Sequence, residues 1–210
     1  MLDVRDATPD DLPAIGRVLA AAFADDPVWT WITSPRTDWS RRAAAWFSAV
    51  ARLQLKGHGT VLVDEGLRGA AIWTPPGRWK GTLGDAATMS IPSARLFGTR
   101  LPRALHALAT NERIHPTDPP HWYLEILGTD PAHQGTGVGS ALIAEITDRC
   151  DREGLDSYLE SSKEQNLAFY ARHGFEVREE VHVTRTSPTT WTMWRAPLGL
   201  AGRSRPFLSG

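Results

Sequence analysis

The sequence predicts a single α/β (α+β) domain, and three observations support this. The stretch from Tyr123 to Phe175 reads strand, glycine-rich turn, helix, strand, short helix, strand, so strand and helix patterns alternate along one continuous segment. Before it, Thr60 to Val63 and Leu67 to Trp73 are β-prone runs joined through Asp64-Glu65-Gly66, a hairpin pattern. At 210 residues, with 41% hydrophobic and 22% charged, the chain suits one domain with a sizeable core. It shows no internal repeat and no linker that would divide it.

Each element has a local reason. Leu2 to Arg5 reads as a short strand. Thr8 then stands as a helix N-cap with Pro9 at the first helical position and Asp10 and Asp11 in the first turn, followed by the apolar face of Leu12, Ile15, Leu19 and Phe23. Asp25-Asp26-Pro27 breaks that helix. Trp29 and Trp31 follow in a segment too aromatic for a neutral linker. A second helix is expected from about Asp38 to Leu55, with Trp46, Val50 and Leu53 on one side, ending at Lys56-Gly57. Thr74-Pro75-Pro76-Gly77 stops the hairpin. From Trp79 to Arg113 the pattern is helical but broken by Gly84, Pro92, Gly98 and Pro102, which predicts two or three short helices. His115 to Pro120 is a stiff loop.

Tyr123 to Thr129 is the central strand, apolar except for Glu125, and Asp130-Pro131 ends it. Val138, Leu142, Ile146 and Cys150 form the stripe of the next helix, which Gly154 closes. Leu155 to Glu160 is a strand. Asn166 caps a short helix from Leu167 to His173, closed by Gly174 before the strand of Phe175 to Val177. Two further strands are expected at about Glu180 to Thr186 and Thr190 to Arg195, with Ser187-Pro188-Thr189 as their turn. Residues 1–196 would form the domain and 197–210 a loose tail.

Composition narrows the function. The formal net charge of -1 gives no electrostatic case for nucleic acid or an acidic membrane as partner. A lone cysteine, Cys150, excludes an internal disulfide and a multi-thiolate metal site, and its place on a helix stripe favours packing over chemistry. The histidines show no metal spacing. Neither a signal peptide nor an apolar run of about 20 residues is visible, so a cytoplasmic protein is expected.

The glycine-rich turn, Gln134 to Ser140, carries the first functional signal. Spaced glycines let a backbone approach a ligand, and the unpaired first-turn N–H groups of the following helix attract anionic oxygens. A plain steric turn would also use glycine. A Walker A loop fails for want of a lysine beside Ser140. A dinucleotide fingerprint is nearer, with Gly135, Gly137, Ser140 and Asp156, but the turn falls late in the chain and no run of further βα units follows it. The segments downstream favour a coenzyme A pyrophosphate loop.

Gln134-Gly135-Thr136-Gly137-Val138-Gly139 resembles the Q/R-x-x-G-x-G/A loop of the GNAT acetyltransferase superfamily. Asn166-Leu167-Ala168-Phe169-Tyr170-Ala171-Arg172-His173-Gly174-Phe175 resembles its second signature. Within the superfamily the chain is most similar to the puromycin N-acetyltransferase group, through Ala20 to Asp25, Ala71 to Thr74, Asp130 to Gly135, Leu159 to Ser162 and Thr190 to Met193. The likeness is weakest between Pro76 and Pro120.

The resemblance implies a mixed, strongly twisted sheet of six or seven strands with helices on both faces, splayed between the Leu124 and Leu159 strands to admit a pantetheine arm. It implies acetyl-CoA as co-substrate, no metal, and direct acetyl transfer to a primary amine of a small molecule by a monomer or homodimer. Leu127, Gly128, Thr129, Gln134, Gly135, Thr136, Gly137, Val138, Gly139, Ser140, Asn166 and Tyr170 would bind the coenzyme. Tyr170, one helical turn after Asn166, would protonate the departing thiolate.

A carboxylate in mid-strand is out of character unless it is paired or lines a cleft, which makes Glu125 a candidate base. The puromycin group carries a small residue at that position, and Glu160 has the better match, so the base role lies between the two. Family geometry brings Trp29, Trp31 and Trp73 toward the acceptor cleft. With Asp25 and Asp26 they suggest a cationic, partly aromatic or apolar acceptor, and His121 is a further candidate there. Two other readings remain: acetylation of a protein N-terminus or lysine, which an open groove would favour, and a non-catalytic acyl-CoA-binding module.

Overall fold

A computed structural model describes residues 2–33 and 38–199. Seven strands form one mixed sheet in the order β1-β2-β3-β4-β5-β7-β6. They are β1 (Val4–Asp6), β2 (Thr60–Asp64), β3 (Gly69–Thr74), β4 (His121–Thr129), β5 (Asp156–Ser161), β6 (Glu176–His182) and β7 (Thr189–Arg195). Only β4 and β5 run parallel; every other neighbouring pair is antiparallel. The helices are α1 (Leu12–Ala22), α2 (Pro27–Ile32), α3 (Trp39–Lys56), α4 (Leu83–Phe97), α5 (Leu101–Ile114), α6 (Val138–Glu153) and α7 (Leu167–Arg172).

The sheet separates two apolar clusters. Val61, Val63, Ala70, Ile72 and Ile126 pack with Ile15, Leu19 and Phe47 of α1 and α3, and Leu96 and Ala104 extend that cluster into α4 and α5. Leu62, Ala71, Trp73, Trp122 and Leu124 pack on the other face against Val138, Leu142, Ile146 and Cys150, the predicted stripe of α6. Alternate residues of β2 and β3 therefore go to opposite clusters, as the pleat requires.

β4 breaks this alternation. Leu124 belongs to the α6 face and Ile126 to the α1 face, although residues two apart on a regular strand share a face. The cause lies in the register: Trp73 pairs with Leu124 and Ile72 with Ile126, which leaves Glu125 as an extra residue on β4. Glu125 is thus the bulged residue of a β-bulge, a device that re-aims side chains.

Several expectations need correction. The two strands at Phe175 to Val177 and Glu180 to Thr186 are one, β6, because a register shift between Val177 and Glu179 absorbs Arg178 without ending the pairing. Asp26 does not merely break α1; its Oδ1 accepts from the N–H groups of Val28 and Trp29 and starts α2. Leu67 leaves the strand for a turn with φ 52°, held by Asp64, whose carboxylate accepts from the N–H groups of Gly66, Arg68 and Gly69 and from Arg68 Nε. Gly84 and Pro92 lie inside α4, and the break between α4 and α5 comes at Gly98, φ 52°. Of the proposed tail, residues 200–210 lie outside the described residues; Leu198 is fastened by its N–H to Asp151 at 2.6 Å, beside the Arg195–Asp151 ion pair at 2.7 Å.

Candidate active site

Strands β4 and β5 pair only from His121–Asp156 to Leu124–Leu159. Beyond that point β5 continues against β7 as far as Ser161, while β4 continues against β3 as far as Thr129. The two strands therefore part in mid-sheet, and the polar backbone edge of β4 past Leu124 has no β5 partner. A cavity of about 1240 Å³ opens at the split, lined on one side by the glycine-rich turn and roofed on another by α4 and α5.

At the turn, Gly135 and Gly137 have φ of 76° and 91°, conformations that side-chain-bearing residues rarely adopt. Gly137 is the N-cap of the 16-residue α6. A Cβ built on Gly135 would meet nothing within 4 Å, so the backbone there faces open space. This is the cradle expected for a diphosphate: bare main chain, a long helix N-terminus and room beside it. Thr136 turns away and donates its hydroxyl to His133 O at 2.6 Å; Ser140 Oγ lies 3.0 Å from His173 Nε2. Leu127, Gly128, Thr129, Gln134, Gly135, Gly137, Val138, Gly139, Ser140, Asn166 and Tyr170 all line the cavity; of the proposed coenzyme contacts only Thr136 does not. These residues fit a coenzyme A thioester. Asn166 stands at the N-cap of α7 as expected, but its side chain makes no capping bond, and a 3-10 turn from Glu164 to Asn166 gives it near-helical angles.

Glu125 and Glu160 stand where the strands part and both line the cavity. Burial pushes each carboxyl up to about 7. Glu125 Oε2 accepts from Gln54 Nε2 at 2.7 Å, and Thr74 also favours its ionised form. Around Glu160 the phenols of Tyr123 and Tyr158 favour the carboxylate and the charge of Glu125 opposes it. Glu160 Oε1 is buried without a hydrogen-bond partner, a costly state for an ion unless a ligand or water completes it. Tyr170 is buried beside Phe169 and Phe175, with ring centroids at 5.2 and 6.1 Å. Burial, helped by the negative charge of Asp26, pushes its phenol well above the usual range. It therefore keeps its proton at neutral pH.

The acceptor side differs from the sequence reading. Trp29 and Asp26 line the cavity, but Asp26 is already bonded at both oxygens, to α2 and to Ser162 Oγ. Asp25 lies outside it in an ion pair with Lys163. Trp31 also lies outside, under the guanidinium of Arg103 at 5.1 Å. Trp73 is buried under α6 on the opposite sheet face, because the register of β3 directs it there. His121 is buried behind the wall: its Nδ1–H donates to Pro119 O at 2.7 Å and its Nε2 meets His115 Nε2 at 3.1 Å, so neither nitrogen is free to serve as a base.

His115, which the sequence offered only as part of a stiff loop, faces the cavity instead, stacked on Trp79 at 3.9 Å. Trp46, Trp79 and Tyr123 also line it. No periodic pattern marks these residues, since they come from different elements; only Tyr123, two before Glu125 on β4, could have been suspected. Among the described residues no three His, Cys, Asp or Glu side chains converge on a possible metal position, and no helix is long and apolar enough to cross a membrane.

Known proteins are similar to this chain in sequence and fold. A sequence model of the acetyltransferase (GNAT) family matches residues 104–175, from within α5 through the glycine-rich turn to just past α7. An uncharacterised N-acetyltransferase of Schizosaccharomyces pombe is 27% identical over 187 residues, spanning 83% of this chain and 74% of that one. The crystal structure described as histone acetyltransferase HPA2 and related acetyltransferase, from Corynebacterium glutamicum, is 27% identical, with a TM-score of 0.66 over 99% of this chain and 100% of that one. The polyamine N-acetyltransferase of Drosophila melanogaster, which forms N-acetylagmatine, has the same fold, with a TM-score of 0.59 at 15% identity over 93% and 100%. Fold and matches together define an acyl-transferring enzyme. The fold and the region that carries both motifs are those of a GNAT-type N-acetyltransferase.

Proposed function

We propose that the protein transfers an acetyl group from acetyl-CoA directly to a primary amine of a small molecule. The observation that carries this reading is the meeting of two buried carboxyls, Glu125 and Glu160, with a protonated phenol, Tyr170, in one cavity that also receives the glycine-rich turn. When bound, acetyl-CoA supplies an activated acyl group. The chain's own residues do the rest. The turn and the α6 N-terminus hold the diphosphate through backbone N–H groups, and the unpaired edge of β4 from Leu127 to Thr129 aligns the pantetheine. Glu125, ionised near neutral pH, takes a proton from the incoming ammonium through water, because only the neutral amine is a nucleophile. Tyr170 returns a proton to the sulfur as the thiolate leaves. Acetyl moves from sulfur to nitrogen with no covalent enzyme intermediate.

The lining of Trp29, Trp46 and Trp79 is the aromatic wall that small-molecule sites carry, which supports a compact acceptor over a polypeptide. The likeness to the puromycin N-acetyltransferase group, which rests on Asp130 to Gly135 and Leu159 to Ser162, puts amine antibiotics among the acceptors to screen. The test is thiol release from acetyl-CoA against a panel of small amines, including puromycin, alongside peptides with free N-termini. Calorimetric binding of acetyl-CoA with amine-dependent thiol release is the expected result. Binding of NADH without acetyl-CoA would point back to the dinucleotide reading. Acetyl-CoA binding without turnover of any amine would favour a carrier module.

A further inference from the structure

The wall of the chamber beyond Tyr123 contains a histidine pair whose proton positions are fixed by its surroundings. A carbonyl oxygen can only accept, so the 2.7 Å contact of His121 Nδ1 with Pro119 O places a proton on Nδ1. In the neutral ring His121 Nε2 then carries a lone pair, and the contact at 3.1 Å requires His115 Nε2 to be the donor. That leaves His115 Nδ1 unprotonated. Burial holds both rings neutral: His115 is pushed down to about 4 and His121 below its ordinary value. Among the described residues none is hydrogen-bonded to His115 Nδ1, and His115 lines the cavity.

Aromatic rings surround this acceptor. Trp79 covers one face of His115 at 3.9 Å and 25°, while Tyr123 meets it edge-on at 4.8 Å and 81°. Tyr123 also reaches back to the reacting end, where its phenol favours the ionised form of Glu160. One ring therefore separates the carboxyl pair from His115. An acceptor with its ammonium at Glu125 and Glu160 and a flat body along Tyr123 would bring its far end to His115.

We propose that His115 is a specificity-determining residue: its Nδ1 accepts a hydrogen bond from an O–H or N–H at the far end of the acceptor, so that the substrates of this enzyme are aryl-bearing amines with a distal hydrogen-bond donor. This rests on the amine-acetylation reading above and deepens it. His121 takes no part in contact with the substrate; it is a positioning residue that keeps the proton of His115 on Nε2 and so leaves the lone pair on Nδ1.

Three probes that differ only at the far end test it: tyramine, which carries a donor, 2-phenylethylamine, which carries nothing, and 4-methoxyphenethylamine, which can only accept. With wild-type enzyme and acetyl-CoA, kcat/KM for tyramine should exceed that for each of the other two by about tenfold or more, the effect of one well-placed hydrogen bond to a buried group. His115→Phe should bring the tyramine to 2-phenylethylamine ratio close to unity. His121→Leu removes the acceptor that fixes the tautomer, so the His115 proton can move to Nδ1; the ratio of 4-methoxyphenethylamine to tyramine should then rise. A loss of packing alone would lower all three substrates together and leave the ratios in place. Should His115→Phe fail to fold, the His121→Leu ratios decide.

Equal efficiencies for the three probes in the wild type, or an unchanged ratio in His115→Phe, would overturn the proposal. So would turnover of other amines with none of the three. If no amine of any kind is acetylated, the amine-acetylation reading itself fails, and the two failures are thereby told apart.

Discussion

At the scale of single residues, the site depends on where three protons sit. Glu125 reaches the cavity because the bulge on β4 turns it there, and burial raises its carboxyl to about 7. A base with that value is ionised in part of the population at neutral pH and still holds the proton well enough to remove it from an ammonium. Glu125→Gln should therefore lower the rate at about pH 7 and recover much of it at about pH 9, where more amine arrives neutral. Glu160→Gln should show the smaller defect. The check is a pH–rate profile for each variant; curves parallel to the wild type would remove both carboxylates from the base role. Tyr170→Phe loses one phenolic proton and leaves the packing against Phe169 and Phe175 in place. Its turnover should fall on the order of 10²-fold with little change in acetyl-CoA affinity, because general acids contribute about that much. Single-turnover kinetics would separate the two effects.

At the scale of elements, two glycines do different work. Gly137 needs its left-handed φ of 91° to start α6 and keep the turn bare. Gly137→Asp should strain that start and set a negative charge beside the diphosphate site, weakening acetyl-CoA binding by roughly tenfold or more in calorimetry. Gly128 instead lets α1 lie on β4. A Cβ there would come within 2.7 Å of Leu19 Cδ2 and 2.9 Å of Ala22 Cβ, so Gly128→Ala should cost about 1–3 kcal/mol in denaturant melts.

The strand, turn and helix around these glycines were legible in the sequence because glycine spacing and a four-residue stripe are local signals. The bulge at Glu125 was not, since it exists only in the register of β4 against β3. The same limit misplaced Trp73: its aromatic character was plain, but its sheet face depends on pairing. His115 escaped notice because its partners, Trp79, His121 and Tyr158, come from separate elements. Pro92 misled in another way, since α4 accommodates it beside the Trp46–Ser93 hydrogen bond of 3.1 Å instead of ending there.

At the scale of the whole molecule, the carboxyl pair that serves catalysis should weaken the fold at alkaline pH. In the unfolded chain a glutamate titrates near 4.5, and in the folded protein Glu125 and Glu160 are raised to about 7. Between these values the folded state keeps protons that the unfolded state has released, so stability falls as pH rises through the interval. The aspartates have the opposite sign. Asp11 beside Arg5 and Asp151 beside Arg195 are held below their ordinary values, and their contribution is lost only as pH falls through the acid range. Buried neutral His115 also opposes the glutamates, because the unfolded chain gains its proton first as pH falls from 6.5 toward about 4. A melting profile of the wild type mixes all of these, so the informative quantity is a difference. The double variant Glu125→Gln with Glu160→Gln should match the wild type closely at about pH 4.5 and melt higher than it at about pH 8.5, by several degrees, since about 1 kcal/mol shifts a domain of this size by about 2–4 °C. Equal melting temperatures at the alkaline end would mean that the ionised carboxylates are better solvated than their burial implies. Their value as bases poised near neutrality would then have to be abandoned together with the stability effect, because one raised pKa underlies both.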